Sequence, residues 1–424
     1  MKTRYVAQIT IEAETALKVG SNASDFLIDS PVQRDWNALP MILGTSIAGV
    51  LRKDFDIDLV DDVFGNDNGS KVIFSNALLC IDQENRVKET LLLDDERSDF
   101  LKLFDTLPIR EHTAITDKGV ADNNSKFDEE IVYAGSRFKF SLELIESDEN
   151  TFHKILGLLS SPSFRLGGGS TKGFGKFKIE EIKTESFDSE SYADYSSSLN
   201  YPLRGKTIEI KKDKSTIATP NYISYRLKLE PENFFIFGSG FGDSDADLTP
   251  MYEQTIDYNR GKLSHKKILI PASSIKGALA HRSTYHYNIQ NKLFIGNDEA
   301  KETIKEIFGE AKDSKNGIEG SKGKVLISDC FQDNNNETKT FDHVSIDRFT
   351  GGAIDGALFQ EKTIADDRVY EIEILLEKSV NKAYINAFES ALDDICTGML
   401  ALGGMTTKGH GIFDGEVYRD GEKI

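Results

Sequence analysis

Two glycine-dense loops are the first residues whose types and spacing suit chemistry. RLGGGSTKGFGKFKI runs from Arg165 to Ile179, and ALGGMTTKGHGIFDG from Ala401 to Gly415. Gly167, Gly168, Thr171, Lys172, Gly173 and Gly175 match Gly403, Gly404, Thr407, Lys408, Gly409 and Gly411 at a constant offset of 236. Such loops suit a polyanion, because missing side chains let backbone N–H groups approach phosphate while the lysine supplies charge. Two common phosphate binders do not match. A P-loop needs Gly-Lys-Ser/Thr opening a helix, whereas here Lys precedes Gly and a strand follows. A dinucleotide fingerprint needs GxGxxG between a strand and a helix, which neither loop offers. The plainer alternative is a tight turn with several positive φ angles.

The elements that position these loops also recur. LPMILGTSIAGVLRKDF from Leu39 pairs with ILIPASSIKGALAHR from Ile268, setting Gly49 opposite Gly277. VFG at Val63 pairs with IFG at Ile307, and KVIFSNA at Lys71 with KVLISDC at Lys324. Four collinear matches mean two copies of one domain, residues 1–187 and 221–424. The polar, serine-rich stretch 188–220 between them is expected to be an exposed linker. Each copy predicts a first strand (Arg4 to Ala13; Ser224 to Leu229) and a helix after Pro40 or Pro271. Thr45 and Ser46, or Ser273 and Ser274, are the expected N-caps of that helix. A strand (from Val72; from Val325), a long excursion, another strand, a second helix, the glycine loop and a final strand follow. The order β, α, β, β, α, β is an α+β pattern of the ferredoxin-like, split βαβ type.

Composition sets the outer bounds. The chain has 424 residues and a net charge of −19, with 51 basic against 70 acidic side chains. On charge alone this argues against a free nucleic-acid binder. Cys80, Cys330 and Cys396 are scattered, at neither metal-ligand nor disulfide spacing, as in a reducing compartment. The N-terminus reads as a strand rather than a secretion signal, and no stretch approaches the ~18 apolar residues of a membrane span. The expectation is a cytoplasmic protein with no membrane partner.

With the repeats in view, the chain resembles the RAMP superfamily of CRISPR systems. The resemblance rests on the two GG-x-x-T-K-G-x-G loops and the S-I-x-G helix starts. Phe26 to Arg52, FLIDSPVQRDWNALPMILGTSIAGVLR, resembles the Asp-Ser-Pro-Val tract of backbone subunits of type III effector complexes. Ser345 to Ile364, SIDRFTGGAIDGALFQEKTI, resembles the thumb hairpin of the same subunits. It implies two tandem ferredoxin-like (RRM-like) RAMP domains with thumb hairpin insertions, as in type III-D variant complexes. The implied partners are guide (CRISPR) RNA, target single-stranded RNA, other RAMP subunits and the large signalling subunit. The implied activity is cutting of target RNA at regular intervals by a loop aspartate with a divalent metal ion, Mg2+ or Mn2+.

Carried over residue by residue, Asp29 matches the catalytic, metal-holding aspartate. A lone exposed carboxylate can orient a hard cation while RNA and water supply the other oxygens; the plainer reading is an Asx-turn before Ser-Pro. The second copy departs from the pattern, with Asp247 one residue further from its proline and Asp257 beyond it. Asp247 is the second catalytic candidate, or that copy is inactive. The RNA-binding candidates are Lys172 and Lys408 with Gly167, Gly168, Gly173, Gly175, Gly403, Gly404, Gly409 and Gly411. Ser46, Ser274 and Lys276 at helix starts and Arg348 in the thumb join them. Arg52, Arg110 and Arg282 are weaker candidates. Two other functions stay open: a scaffold that only binds guide RNA, and a metal-independent guide-precursor nuclease using His112 or His281.

Overall fold

The computed structural model describes residues 3–424 except 22–28, 67–68, 82–96, 117–120, 123–124, 209–220, 295–297, 311, 313–316 and 336. Alternating apolar residues send Ala7, Ile9 and Ile11 of the strand Arg4–Ala13 into a fully buried core. This strand pairs antiparallel with Arg137–Leu144 on one side and Phe177–Phe187 on the other. Val72–Phe74 adds to the far edge of Arg137–Leu144. A second sheet repeats the order: Val325–Ile327, Tyr370–Glu377, Tyr222–Pro231, Phe413–Arg419.

Helices Gly44–Asp54 and Glu149–Leu159 bury Ile47, Leu51, Phe152 and Ile155 in the first core; Ala272–Gln290 and Lys382–Cys396 bury Ile275, Leu279, Phe388 and Leu392 in the second. The expected hydroxyl caps are absent. Leu43 and Pro271 occupy the N-cap positions without a side-chain cap, and Thr45, Ser46, Ser273 and Ser274 lie within the first turn. The free donors are met instead from the link that follows the strand Val72–Phe74 or Val325–Ile327. Asn76 Oδ1 accepts from Gly44 N–H at 3.0 Å, and Asp329 Oδ1 from Ala272 N–H at 2.8 Å. Local sequence favoured a hydroxyl cap, but a tertiary carboxamide or carboxylate satisfies the same orphan donors.

The stretch after Phe187 departs from a freely exposed linker. Gln8 Nε2 donates to the carbonyls of Ser198 and Tyr201 at 3.3 and 3.0 Å. Leu203 and Phe187 pack on Val6, flanked by Tyr192, Tyr195 and Tyr201, so this segment covers the other face of the first sheet. Residues 209–220 of the predicted linker lie outside the described residues.

The two copies interlock. Ile256 N–H donates to the Ala134 carbonyl at 2.8 Å, and Tyr258, beyond it, enters the first core. There the Tyr258 hydroxyl donates to the Cys80 carbonyl and accepts from Arg137 N–H, both at 3.0 Å. Arg110, 1% exposed, locks the joint: Nε and Nη2 donate to Glu253 Oε1 at 2.8 and 2.6 Å, and Nη1 to Asp329 Oδ2 at 2.8 Å. Burial opposes its charge, but Asp329 and Glu253 outweigh burial and keep the guanidinium firmly protonated. Among the described residues no helix is long and apolar enough to cross a membrane.

Candidate functional site

Each glycine loop contains one turn of 3-10 helix, Ser170–Lys172 or Thr406–Lys408, flanked by residues of positive φ. Gly175 and Gly411 take φ of 75° and 76°, and a Cβ at either would run into the carbonyl oxygen of Leu166 or Leu402. Gly167 and Gly403 meet the carbonyls of Lys18 and Ile236 in the same way. These four glycines serve the loop's own close packing. Gly168 and Gly404 have room for a Cβ, and Gly409 opens on free space. Gly173, in contrast, is pressed against Asp329 and Ala272 of the second copy.

The loop lysines do not stand alone. Lys172 Nζ lies 5.0 Å from the ring centroid of Phe127, and Lys408 Nζ 4.3 Å from that of Phe359. Each phenylalanine begins the return strand of a hairpin: Ile109–His112 with Phe127–Glu130, and Thr338–His343 with Phe359–Ala365. Each ring also stacks with a histidine, His112 at 5.0 Å or His343 at 4.8 Å.

The same return strands hold the candidate aspartates. Asp29 is exposed, and its Oδ2 accepts from Asp128 N–H at 3.1 Å. Asp247, also exposed, accepts through Oδ2 from Gln360 N–H at 2.8 Å. The next residues bridge the next strand positions, Ser30 to Glu129 and Leu248 to Glu361, both parallel. Asp247 therefore occupies in the second copy the place Asp29 has in the first, although the two sequences differ in spacing before the proline. Asp257 does not; its Oδ1 accepts from Asn259 and Arg260 N–H within a turn. Phe26 to Ile28, which precede Asp29 in the predicted tract, lie outside the described residues.

Each return strand also carries a buried glutamate that sequence reasoning missed. Glu129 pairs with Lys18 through Oε1, and its Oε2 lies 3.2 Å from His112 Nε2. Burial alone would raise the Glu129 carboxyl, but His112 and Lys18 outweigh it and hold it at about 2. Glu361 is fully buried, its Oε1 lying 2.9 Å from Nε2 of both His343 and His410. A signal existed: Phe-x-Glu recurs at Phe127–Glu129 and Phe359–Glu361, preceded in both copies by a histidine.

The remaining candidates divide by environment. Lys276 donates to Thr171 Oγ1 at 2.9 Å across the joint, and burial, with Lys172 nearby, pushes its ammonium down to about 8. Lys172 and Lys276 thus form one basic spot to which both copies contribute. Ser274 and Arg348 are exposed, and Ser46 is half-buried. Arg110 is removed from the RNA-contact set because it is buried in the joint, while Arg52 is engaged by Asp61 at 2.6 Å and Arg282 by Asp394. His112 is stacked inward, and His281 is exposed on its helix. Among the described residues no three His, Cys, Asp or Glu side chains group to hold a metal ion. A single exposed carboxylate with one oxygen bound to the backbone fits an ion completed by RNA oxygens and water, not a protein cage.

A family model described as the RAMP superfamily matches residues 10–178 and 236–414. CRISPR system Cms endoribonuclease Csm3 of Methanocaldococcus jannaschii is 29% identical over 204 residues, 43% of this chain and 81% of that protein. A solved structure described as type III-B Cmr-beta bound to cognate target RNA is similar at a TM-score of 0.32 and 17% identity, over 43% of this chain. The match spans 60% of that structure's chain, less than two thirds of its length. Each stretch matched by the family model contains the strand-bound aspartate, the buried glutamate with its histidine contact, and the glycine loop of one copy. The chain belongs to the RAMP superfamily and carries the family's region twice.

Proposed function

We propose that this chain is a tandem backbone subunit of a type III CRISPR ribonucleoprotein, which binds guide RNA and cuts complementary target RNA at two places. Its halves are read as ferredoxin-like domains, 1–187 and 221–424, and the two hairpins as their thumbs. The observation that carries the reading is the recurrence of one arrangement. In each copy an exposed aspartate hangs on the strand N–H next to a phenylalanine, and the glycine-loop lysine lies over that ring. On this reading the lysine would contact phosphate and the carboxylate would cut, both acting beside one strand. Family membership and the similarity to an endoribonuclease support it.

Lys172 with Lys276, and Lys408, would contact guide phosphates, with Arg348 on the exposed turn of the second hairpin. Asp29 and Asp247 would hold Mg2+ or Mn2+ together with RNA oxygens; the ion would stabilise charge developing on the phosphate. The strand N–H fixes one carboxylate oxygen of each exposed aspartate. The test uses the reconstituted complex and an end-labelled target. Asp29→Ala removes one cut and Asp247→Ala a different one, with guide RNA still bound. If every cut persists in both variants, the chain only scaffolds RNA. Cutting that survives chelation of divalent ions excludes the metal-dependent route.

A further inference from the structure

We infer that Phe241 of the second copy stacks a base of the target RNA beside Asp29 of the first, so that one loop serves both candidate cutting sites. The inference rests on the reading of Asp29 as an RNA-cutting group. It starts from the outer face of the first hairpin. Glu111 and Asp128 stand opposite each other across that hairpin, and the buried Arg110 and Glu129 form the neighbouring pair on its inner side. Lys126, two residues before Asp128, shares the outer side, because strand side chains alternate. Asp128 N–H holds Asp29 at 3.1 Å, and Lys126 Nζ pairs with Glu111 Oε2 at 2.8 Å.

A loop of the second copy rests on this face. Gly240 takes φ of 87°, and its missing side chain leaves room for Glu111 Oε2, 2.8 Å from where a Cβ would stand. The next residue, Phe241, is 58% exposed, with its ring centroid 5.7 Å from Lys126 Nζ. Its backbone is fixed although its ring is free of the core. The carbonyl accepts from Ser239 Oγ at 3.0 Å and Thr249 Oγ1 at 2.8 Å, and the N–H donates to Ser239 Oγ at 3.1 Å. An aromatic ring held in water on an ordered backbone, beside an ammonium group, is the kind of platform on which an unpaired base stacks.

The same loop carries the other candidate aspartate. Its ends meet where Gly238 bridges Pro250, and Thr249, which anchors Phe241, lies two residues after Asp247. Asp247 reaches Gln360 of its own hairpin while Phe241 reaches the hairpin of the first copy. The arrangement is not repeated in sequence. At the offset of 218 that relates Asp247 to Asp29, the residue matching Phe241 is Ala23. Leu358, 63% exposed, takes the place of Lys126 on the second hairpin. The stacking platform therefore belongs to the Asp29 site at the joint. A base fixed there holds the neighbouring phosphate in register with Asp29, and small misplacement of a reacting group is costly in rate.

The experiment takes two readouts from the reconstituted complex. The first follows the two cuts, assigned with Asp29→Ala and Asp247→Ala. Phe241→Ala is expected to slow the Asp29 cut about tenfold. The Asp247 cut should stay unchanged, which reports that the loop still holds its aspartate. Phe241→Tyr keeps an aromatic face and should cut like the unaltered complex, whereas Phe241→Leu keeps apolar bulk without that face and should behave like Phe241→Ala. The second readout needs no cutting. In a complex carrying both Asp→Ala changes, a fluorescent adenine analogue quenched by stacking is placed at successive positions of the target and, separately, of the guide. One target position should brighten when Phe241→Ala is added. An Asp29 cut that Phe241→Ala leaves unchanged, equal slowing of both cuts, Phe241→Leu cutting like Phe241→Tyr, or brightening at no position or only in the guide overturns the inference. If every cut survives Asp29→Ala, the RNA-cutting reading fails instead, and the fluorescence scan still decides the stacking.

Discussion

At the scale of single residues, the candidate chemistry depends on groups that do not react. An exposed aspartate can point anywhere; Asp29 and Asp247 each have one oxygen tied to a strand N–H, and the strand is tied to a buried glutamate. Glu129 also makes a prediction about stability. Its carboxyl is held at about 2, below its ordinary value of 4.5, by His112 and Lys18 against the opposing effect of burial. A depressed folded-state value means that the contribution to stability is complete above about pH 4.5. It is lost as pH falls through that value toward about 2. Denaturant midpoints measured from pH 6 downward should fall over that window, and less steeply in Glu129→Gln. An alignment of the copies around Phe127 and Phe359 could have located Glu129. Its burial was not legible, because it depends on Lys18, more than a hundred positions away, folding over it.

At the scale of elements, the glycine loop has two kinds of glycine. Gly175→Ala forces a side chain into the Leu166 carbonyl at a φ of 75°. It is expected to cost about 1–3 kcal/mol or more of unfolding free energy. Gly168→Ala, whose Cβ would lie 3.6 Å from the Lys18 side chain, is expected to leave stability within about 0.5 kcal/mol. Guide-RNA binding of the complex containing Gly168→Ala then tests whether phosphate approaches there. The loop lysines give a separate readout. Lys408→Ala should weaken binding uniformly over guide sequences and reduce the salt slope by about one. The strands and helices of both copies were legible from apolar period and the internal repeat. Their caps were not, because Asn76 and Asp329 lie about 30 and 60 residues from the helix starts they satisfy.

At the scale of the whole molecule, the joint between the copies organises charge that the net value conceals. Arg110, Arg165 and Lys176 of the first copy meet Asp329, Ser328 and Glu373 of the second. Arg110→Ala leaves Asp329 and Glu253 buried without their cation, and should cost about 3–5 kcal/mol in equilibrium unfolding. The joint also indicates what the outer ends present. Leu326, buried at the joint, corresponds to Ile73 in the first copy, which is 49% exposed. Gly173, buried at the joint, corresponds to exposed Gly409. On the backbone-subunit reading these are the faces that neighbouring subunits cover. Ile73→Asp should therefore leave the isolated chain's denaturant midpoint unchanged while reducing its recovery in the assembled complex. A recovery equal to that of the unaltered chain would remove this face from the assembly.

By itself the sequence determined the duplication, the periodic elements and the two lysine-bearing loops, because a repeat and a local spacing survive in one dimension; Asp29 entered as a candidate through the family resemblance. Tertiary structure decided that Asp247 rather than Asp257 stands where Asp29 does, since equivalence there is set by a strand N–H and not by distance from a proline. It also decided that Arg110 is a lock between copies rather than an RNA contact, and that the strands holding the aspartates carry buried glutamates. A side chain's charge is written in the sequence. Whether that charge faces solvent, a phosphate or a buried counter-ion depends on chain segments meeting across hundreds of residues.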